Sequence, residues 1–186
     1  MTEFTIHTAE SAPEGSRAGL AAARQKFGMV PNLLGVLAGA PAALTSYLTT
    51  TEAMEGSSLS PQDQQVVFIA TSVANRCEYC VSVHTAIAGM AEIPPETTDA
   101  LRAGRDPEDE RAAALARLAR ALVGERGCIE EADIEAFGAA GFSDQQLLEV
   151  ITGVALKTLS NDVNHIAETP LDPAFEGVRW TPAAVA

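Results

Sequence analysis

Two thiols and an imidazole crowd into the segment Cys77-Glu78-Tyr79-Cys80-Val81-Ser82-Val83-His84. In a helix, positions i, i+3, i+4 and i+7 share a face, so Cys77, Cys80 and His84 line one stripe. A thiol pair beside a base can form a thiolate, react with an oxidant and close a disulfide. Two effects favour the thiolate. The first turn of a helix offers unsatisfied N–H groups and the positive end of the macrodipole. His84, one turn beyond Cys80, can take a proton directly or through water. The first effect favours Cys77 and the second favours Cys80, so the spacing alone leaves both open as the reactive thiol. The pair is better defined as a unit. Residues three apart on a helix have Cβ atoms ~5–6 Å apart, within small adjustment of a disulfide.

Cys-x-x-Cys is also half of a zinc site. No second such pair exists, and Cys128, His165 and His7 are scattered along the chain. A metal site would need the fold to gather Cys77, Cys80, His84 and His165, and the sequence predicts none. Two thiols packed as small hydrophobes are the plainer alternative, and His84 beside them argues for chemistry.

These residues sit in a chain of 186 residues, enough for one sizeable core or two similar halves. A hydrophobic fraction of 47% and a charged fraction of 20% fit an ordinary soluble domain. The net charge of −13 repels phosphate backbones and argues against a nucleic-acid partner. Met1-Thr2-Glu3-Phe4-Thr5 has neither the basic nor the apolar part of a signal peptide. No apolar run approaches the ~20 residues of a membrane span. The expected compartment is the cytoplasm, and an odd, small cysteine count argues against a disulfide framework.

Helical periodicity runs through the chain, and no stretch alternates convincingly, so the predicted fold class is all-α. An irregular arm over 1–12 precedes a helix opening at Pro13-Glu14-Gly15, with Leu20, Ala23, Phe27 and Val30 on one side. A short helix follows at Asn32–Leu37, then one from Pro41 carrying Leu44, Tyr47, Leu48 and Met54. Ser60-Pro61-Gln62-Asp63 is a strong helix start, with a capping serine, proline at the first position and an acid three residues after the cap. Asn75-Arg76 breaks that helix, and the thiol helix runs from near Cys77 to about Met90. Further helices are predicted over Glu96–Arg102, from Asp106-Pro107 to about Val123, over Glu130–Phe137, and from the Ser143 cap through Leu159. Everything forms a single domain, with a thiol half over about 31–93, a second half over about 106–168 and an irregular tail over 170–186.

The spacings 12, 3 and 4 that join Gln65, Cys77, Cys80 and His84 recur 84 residues later at Glu149, Asn161, Asn164 and Glu168. Two related helical halves account for this, and so does chance similarity between amphipathic helices.

Leu59-Ser60-Pro61, Val66 to Ala74, Asn75-Arg76-Cys77-Glu78-Tyr79-Cys80 and His84-Thr85-Ala86 together resemble the AhpD-like alkylhydroperoxidases of the carboxymuconolactone decarboxylase superfamily. Asn164-His165-Ile166-Ala167-Glu168-Thr169-Pro170-Leu171-Asp172 looks like the ending of the peroxidase-related branch. The resemblance spans about Pro31 to Asp172. It implies a helical bundle that assembles into trimers or hexamers and reduces hydroperoxides without cofactor or metal. It implies Cys80 as peroxidatic thiol, Cys77 as resolving thiol and His84 as part of a proton relay. A dithiol partner, such as a lipoylated carrier or a thioredoxin-like protein, would reduce the disulfide.

This chain departs from the family pattern at Gln65, where a glutamate is expected. An amide cannot shuttle a proton as a carboxylate does, though it can hydrogen-bond a water or orient His84. Glu78 and Glu149 are the candidates to replace the acid. The histidine that some relatives carry between the cysteines is replaced by Glu78 and Tyr79, with Tyr79 expected to pack in the core. His165 is expected to serve the helix end, Cys128 to be a bystander and Trp180 to pack on a neighbour. Two other functions fit the same residues. One is a decarboxylase of the carboxymuconolactone type, which has no use for a thiol pair. The other is a non-catalytic redox-sensing or binding module with an incomplete relay.

Overall fold

The computed structural model describes residues 4–182, so residues 1–3 of the predicted arm and 183–186 of the predicted tail lie outside the described residues. The secondary structure is helical, with no strand among the described residues. The helices are α1 (Glu14–Phe27), α2 (Asn32–Leu37), α3 (Pro41–Glu55), α4 (Pro61–Ala74), α5 (Glu78–Met90), α6 (Pro95–Arg102), α7 (Glu110–Gly124), α8 (Glu131–Ala139) and α9 (Asp144–Ala167). The all-α expectation holds. The tail beyond Pro170, expected to be irregular, winds into a 3₁₀ turn at Pro173–Val178. α7 begins later than the Asp106-Pro107 signal because the Asp109 carboxylate accepts from the N–H of Ala112. Phe27, expected on the inner side of α1, is exposed where that helix ends at a left-handed Gly28.

α4 is the centre of the bundle and packs on α5, α7 and α9. Every residue from Gln64 to Ser72 is buried, as expected of a helix covered on all sides. Its start is fixed by the predicted capping box. Ser60 Oγ accepts from the N–H of Asp63, and the Asp63 carboxylate accepts from the N–H of Ser60. Its end sets the thiols. Asn75 closes the helix, Arg76 turns left-handed at φ 59°, and two backbone N–H groups fold back, from Arg76 to Val73 and from Cys77 to Ser72. This is a Schellman closure with arginine where glycine is preferred. Cys77 is its last residue and also the N-cap of α5, so one turn fixes both helices and the first sulfur.

The C-terminal segment straps this region down. Tyr79 is buried, and its hydroxyl donates to Asp172 Oδ2 at 2.6 Å while accepting from the N–H of Leu33. Tyr79 is thus a core residue with a polar tie, as aromatic hydroxyls in interiors require. Asp172 also accepts from the N–H of Asn32. Trp180, expected against a neighbour, instead packs within the chain. Its N–H donates to Ser82 Oγ and its indole Nε1 to the carbonyl of Arg102.

Replacing Tyr79 by Phe removes the donor to a buried carboxylate and the acceptor for the Leu33 N–H. The expected cost is about 1–3 kcal/mol, read as a lower urea midpoint. An unchanged midpoint would show that the strap is not fastened through this hydroxyl.

Candidate active site

The start of α5 and the last third of α9 meet over the thiols. Cys77 is at the N-cap of α5 and Cys80 in its first turn, both free and buried. From α9, Lys157, Ser160, Asn161 and Asn164 project inward at i, i+3, i+4 and i+7, and all four are buried. Asn164 Nδ2 donates to both sulfurs, at 3.3 Å to Cys80 and 3.8 Å to Cys77. Ser160 Oγ lies 3.6 Å from Cys80 Sγ. Asn161 supports them, donating to Ser72 Oγ and accepting from Asn75 Nδ2. Asn164 Oδ1 is buried and has no partner among the described residues.

His84 lies one turn on and is also buried. Its Nδ1 is 2.8 Å from Gln65 Oε1, and its Nε2 is 2.7 Å from Lys157 Nζ. A carbonyl oxygen only accepts and an ammonium only donates, so the ring is the neutral tautomer with its proton on Nδ1. Gln65 thus holds the imidazole as a fixed acceptor. No hydrogen bond joins His84 to either sulfur among the described residues, so the direct proton transfer suggested by the sequence spacing finds no bond in this structure. The nitrogen that would act as base is occupied by Lys157. Phe68 closes the other side, with ring centroids 5.1 Å apart.

The electrostatics divide the thiols. Burial alone would raise Cys80, but the Cys77 hydrogen bond, the Lys157 charge and the Ser160 and Asn161 contacts outweigh it and bring it to about 5. Cys77 moves the other way, first because it donates its proton toward Cys80 and then through burial. Burial and then the Lys157 charge push His84 well below its usual value. Lys157 is raised: burial opposes its charge, while Tyr47 and the two thiols favour it.

The carboxylates proposed to stand in for Gln65 are engaged elsewhere. Glu149 accepts from the N–H and the hydroxyl of Ser58. Glu78 pairs with Arg179. His165 is exposed in the last turn of α9, and Cys128 is exposed on the surface. Among the described residues no group of His, Cys, Asp or Glu is arranged to hold a metal ion, and no helix is long and apolar enough to cross a membrane. A cavity of about 360 Å³ opens beside the site. Its wall includes Cys77, Asn164, Glu168, Leu171 and Arg179, and does not include Cys80.

Lys157 and Ser160 were missed by the sequence reading. The available signal was the spacing of four polar residues at i, i+3, i+4 and i+7 on one face of α9. Asn161 and Asn164 had been noticed only as counterparts of the cysteines, and it is those counterparts that line the thiol side.

A helical bundle carrying a Cys-x-x-Cys pair at a buried helix start defines the class. Residues 38–122, which contain Gln65, both cysteines and His84, match the carboxymuconolactone decarboxylase family. The structure is similar to an alkylhydroperoxidase AhpD core, an uncharacterized peroxidase-related protein from Ralstonia eutropha JMP134, at 25% identity over 93% of each chain with a TM-score of 0.82. An uncharacterized peroxidase-related protein from Silicibacter sp. TM1040 shares the fold at 22% identity, covering 95% of this chain and 96% of that one, with a TM-score of 0.79. The debrominase Bmp8, in complex with 2,3,4-tribromopyrrole, shares it at 17% identity over 96% of each chain, with a TM-score of 0.77. No curated protein sequence matches significantly. Residues 38–122 thus match the carboxymuconolactone decarboxylase family, and the chain as a whole has the fold of an AhpD-like core.

Gln65→Glu places a carboxylate against the His84 Nδ1–H and favours the imidazolium. The ring is expected to stay neutral well below the usual histidine range in the native chain, because burial and the Lys157 charge oppose its protonation, and to titrate at higher pH in the variant, followed by NMR of the His84 ring. Identical titrations would mean that Gln65 does not hold this nitrogen.

Proposed function

We propose that this protein is a thiol peroxidase in which Cys80 is the nucleophile, Cys77 the resolving thiol and a hydroperoxide the substrate. The observation that carries the reading is the single Asn164 amide shared by two sulfurs whose acidities are driven apart. The Cys77 hydrogen bond and the Lys157 charge favour the anion at Cys80 and the proton at Cys77, which is the division of labour the reaction needs.

The Cys80 thiolate attacks the outer oxygen of the hydroperoxide. The O–O bond breaks, the sulfur becomes a sulfenic acid, and the alkoxide leaves and takes a proton from water. The sulfur loses the two electrons that the peroxide gains. The Cys77 sulfur then attacks the Cys80 sulfenic acid, the S–S bond forms, and the thiol proton leaves with the hydroxyl as water. Asn164 Oδ1 suits the substrate, because it is a buried acceptor in need of a donor and a hydroperoxide brings an O–H. A dithiol reductant reopens the disulfide. The cavity reaches Cys77, so attack falls on that sulfur and expels Cys80, whose lower pKa makes it the better leaving group. The reading includes the homo-oligomer that the resemblance implies.

A second reading is a redox-sensing module that forms the disulfide without turning over peroxide. It is favoured by the depth of Cys80, which is 1% exposed and lies off the cavity wall.

Peroxide consumption with a dithiol donor decides between them. Wild type is expected to turn over, and Cys80→Ser to lose at least about 100-fold, because removing an essential nucleophile leaves only binding and polar residues. Full turnover in Cys80→Ser would overturn the assignment of roles. Reversible bridging in wild type with no turnover would establish the sensor instead.

A further inference from the structure

Lys157 is 2% exposed, and an ammonium removed from water must find an anion or give up its proton. Among the described residues no carboxylate forms an ion pair with it. Its Nζ donates to His84 Nε2 and sits 5.5 Å from the Phe68 ring centre and 5.9 Å from that of Tyr47, two faces that attract a cation. The groups facing it can be named element by element. α3 brings the Tyr47 hydroxyl, and α5 with its cap brings His84, Cys80 and Cys77. α4 brings Gln65 and Phe68, which carry no charge. α2 has no ionisable side chain. In α7, Arg111 pairs with Asp63, and Arg117 and Arg120 pair with Asp106. Of the groups facing the ammonium, a thiol is the strongest acid that can supply a negative charge.

We propose that Lys157 is the counter-ion of a Cys80 thiolate, aimed by the neutral His84–Gln65 pair, and that this buried ammonium, rather than a carboxylate relay, activates the thiol. The proposal deepens the thiol-redox reading and rests on Cys80 being its reactive sulfur. Each component has a geometric role. Gln65 fixes the imidazole tautomer, the imidazole presents Nε2 as an acceptor, and that acceptor holds the flexible lysine stem in one place. Lys157 is a positioning and charge-bearing residue. It touches His84, and it lies one helical turn before Ser160 on the face of α9 whose Ser160 Oγ is 3.6 Å from Cys80 Sγ, so its charge acts on that sulfur across the shared buried site. The direction of the Cys80 and Lys157 shifts, each favouring the other's charged form, agrees with this pairing.

The test is a pH titration of thiolate absorbance near 240 nm on the reduced full chain, with Cys80→Ser as the spectral blank. Wild type is expected to titrate Cys80 near 5. Lys157→Met keeps the stem volume without the charge and should move the midpoint to about 8.5 or above, the ordinary thiol range or higher. At pH 6 the thiolate fraction would then fall by about 100-fold or more. Lys157→Arg should keep the midpoint low. A wild-type midpoint at or above about 8 overturns the proposal without any variant being needed. So does a low midpoint retained in a Lys157→Met protein whose circular dichroism is native. Peroxide turnover is measured alongside. A low midpoint that depends on Lys157, without turnover in wild type, supports the ion pair and removes the peroxidase reading.

Discussion

A lysine ammonium, an imidazole and two thiols are withdrawn from water together where α5 meets α9, and each can keep its protonation state only because of the others. The imidazole is neutral because a carbonyl faces one nitrogen and an ammonium the other. The ammonium faces aromatic rings, an imidazole lone pair and sulfur, with no carboxylate paired to it among the described residues. In a region of low polarizability such charges interact strongly and are costly to leave alone. The site therefore behaves as one unit.

The rest of the bundle holds that unit in register. The capping box at Ser60 and the Schellman closure at Arg76 fix both ends of α4. Gln65 and Cys77 are then held at a set separation along one rigid element and its turn. A left-handed arginine costs on the order of 1–2 kcal/mol, yet this turn places Cys77 as the cap of α5. The tail completes the frame. Tyr79 to Asp172, Trp180 to Ser82 and Arg179 to Glu78 join the C-terminal segment to the outer side of the thiol helix. One wall of the cavity is thus built from residues nearly a hundred positions downstream of the cysteines.

The two sulfurs differ in what they can reach. Cys77 borders the cavity and keeps its proton; Cys80 lies behind it, more acidic and surrounded by donors. The same arrangement leaves Cys80 1% exposed and off the cavity wall.

The helices and the thiol stripe were legible in the residue order alone. Caps, prolines and the 3.6-residue period are local signals, so Ser60, Ser143 and the spacing of Cys77, Cys80 and His84 could be read without a fold. Gln65 was singled out by the family resemblance, as the position where a glutamate is expected, and the structure places it against His84. The recurrence of that spacing pointed to Asn161 and Asn164, and these two do line the thiol side, whereas Glu149 turns away to Ser58. Lys157 could not be read. A lysine on a helix is ordinarily solvated, and nothing near it in the chain announces an exception. On the same helix Leu148 and Ile166 are 65% and 69% exposed, so local polarity misjudged both faces. Which side of α9 meets the thiols is set by packing, because burial of a charge depends on the groups that surround it, and here they come from α3, α4 and α5.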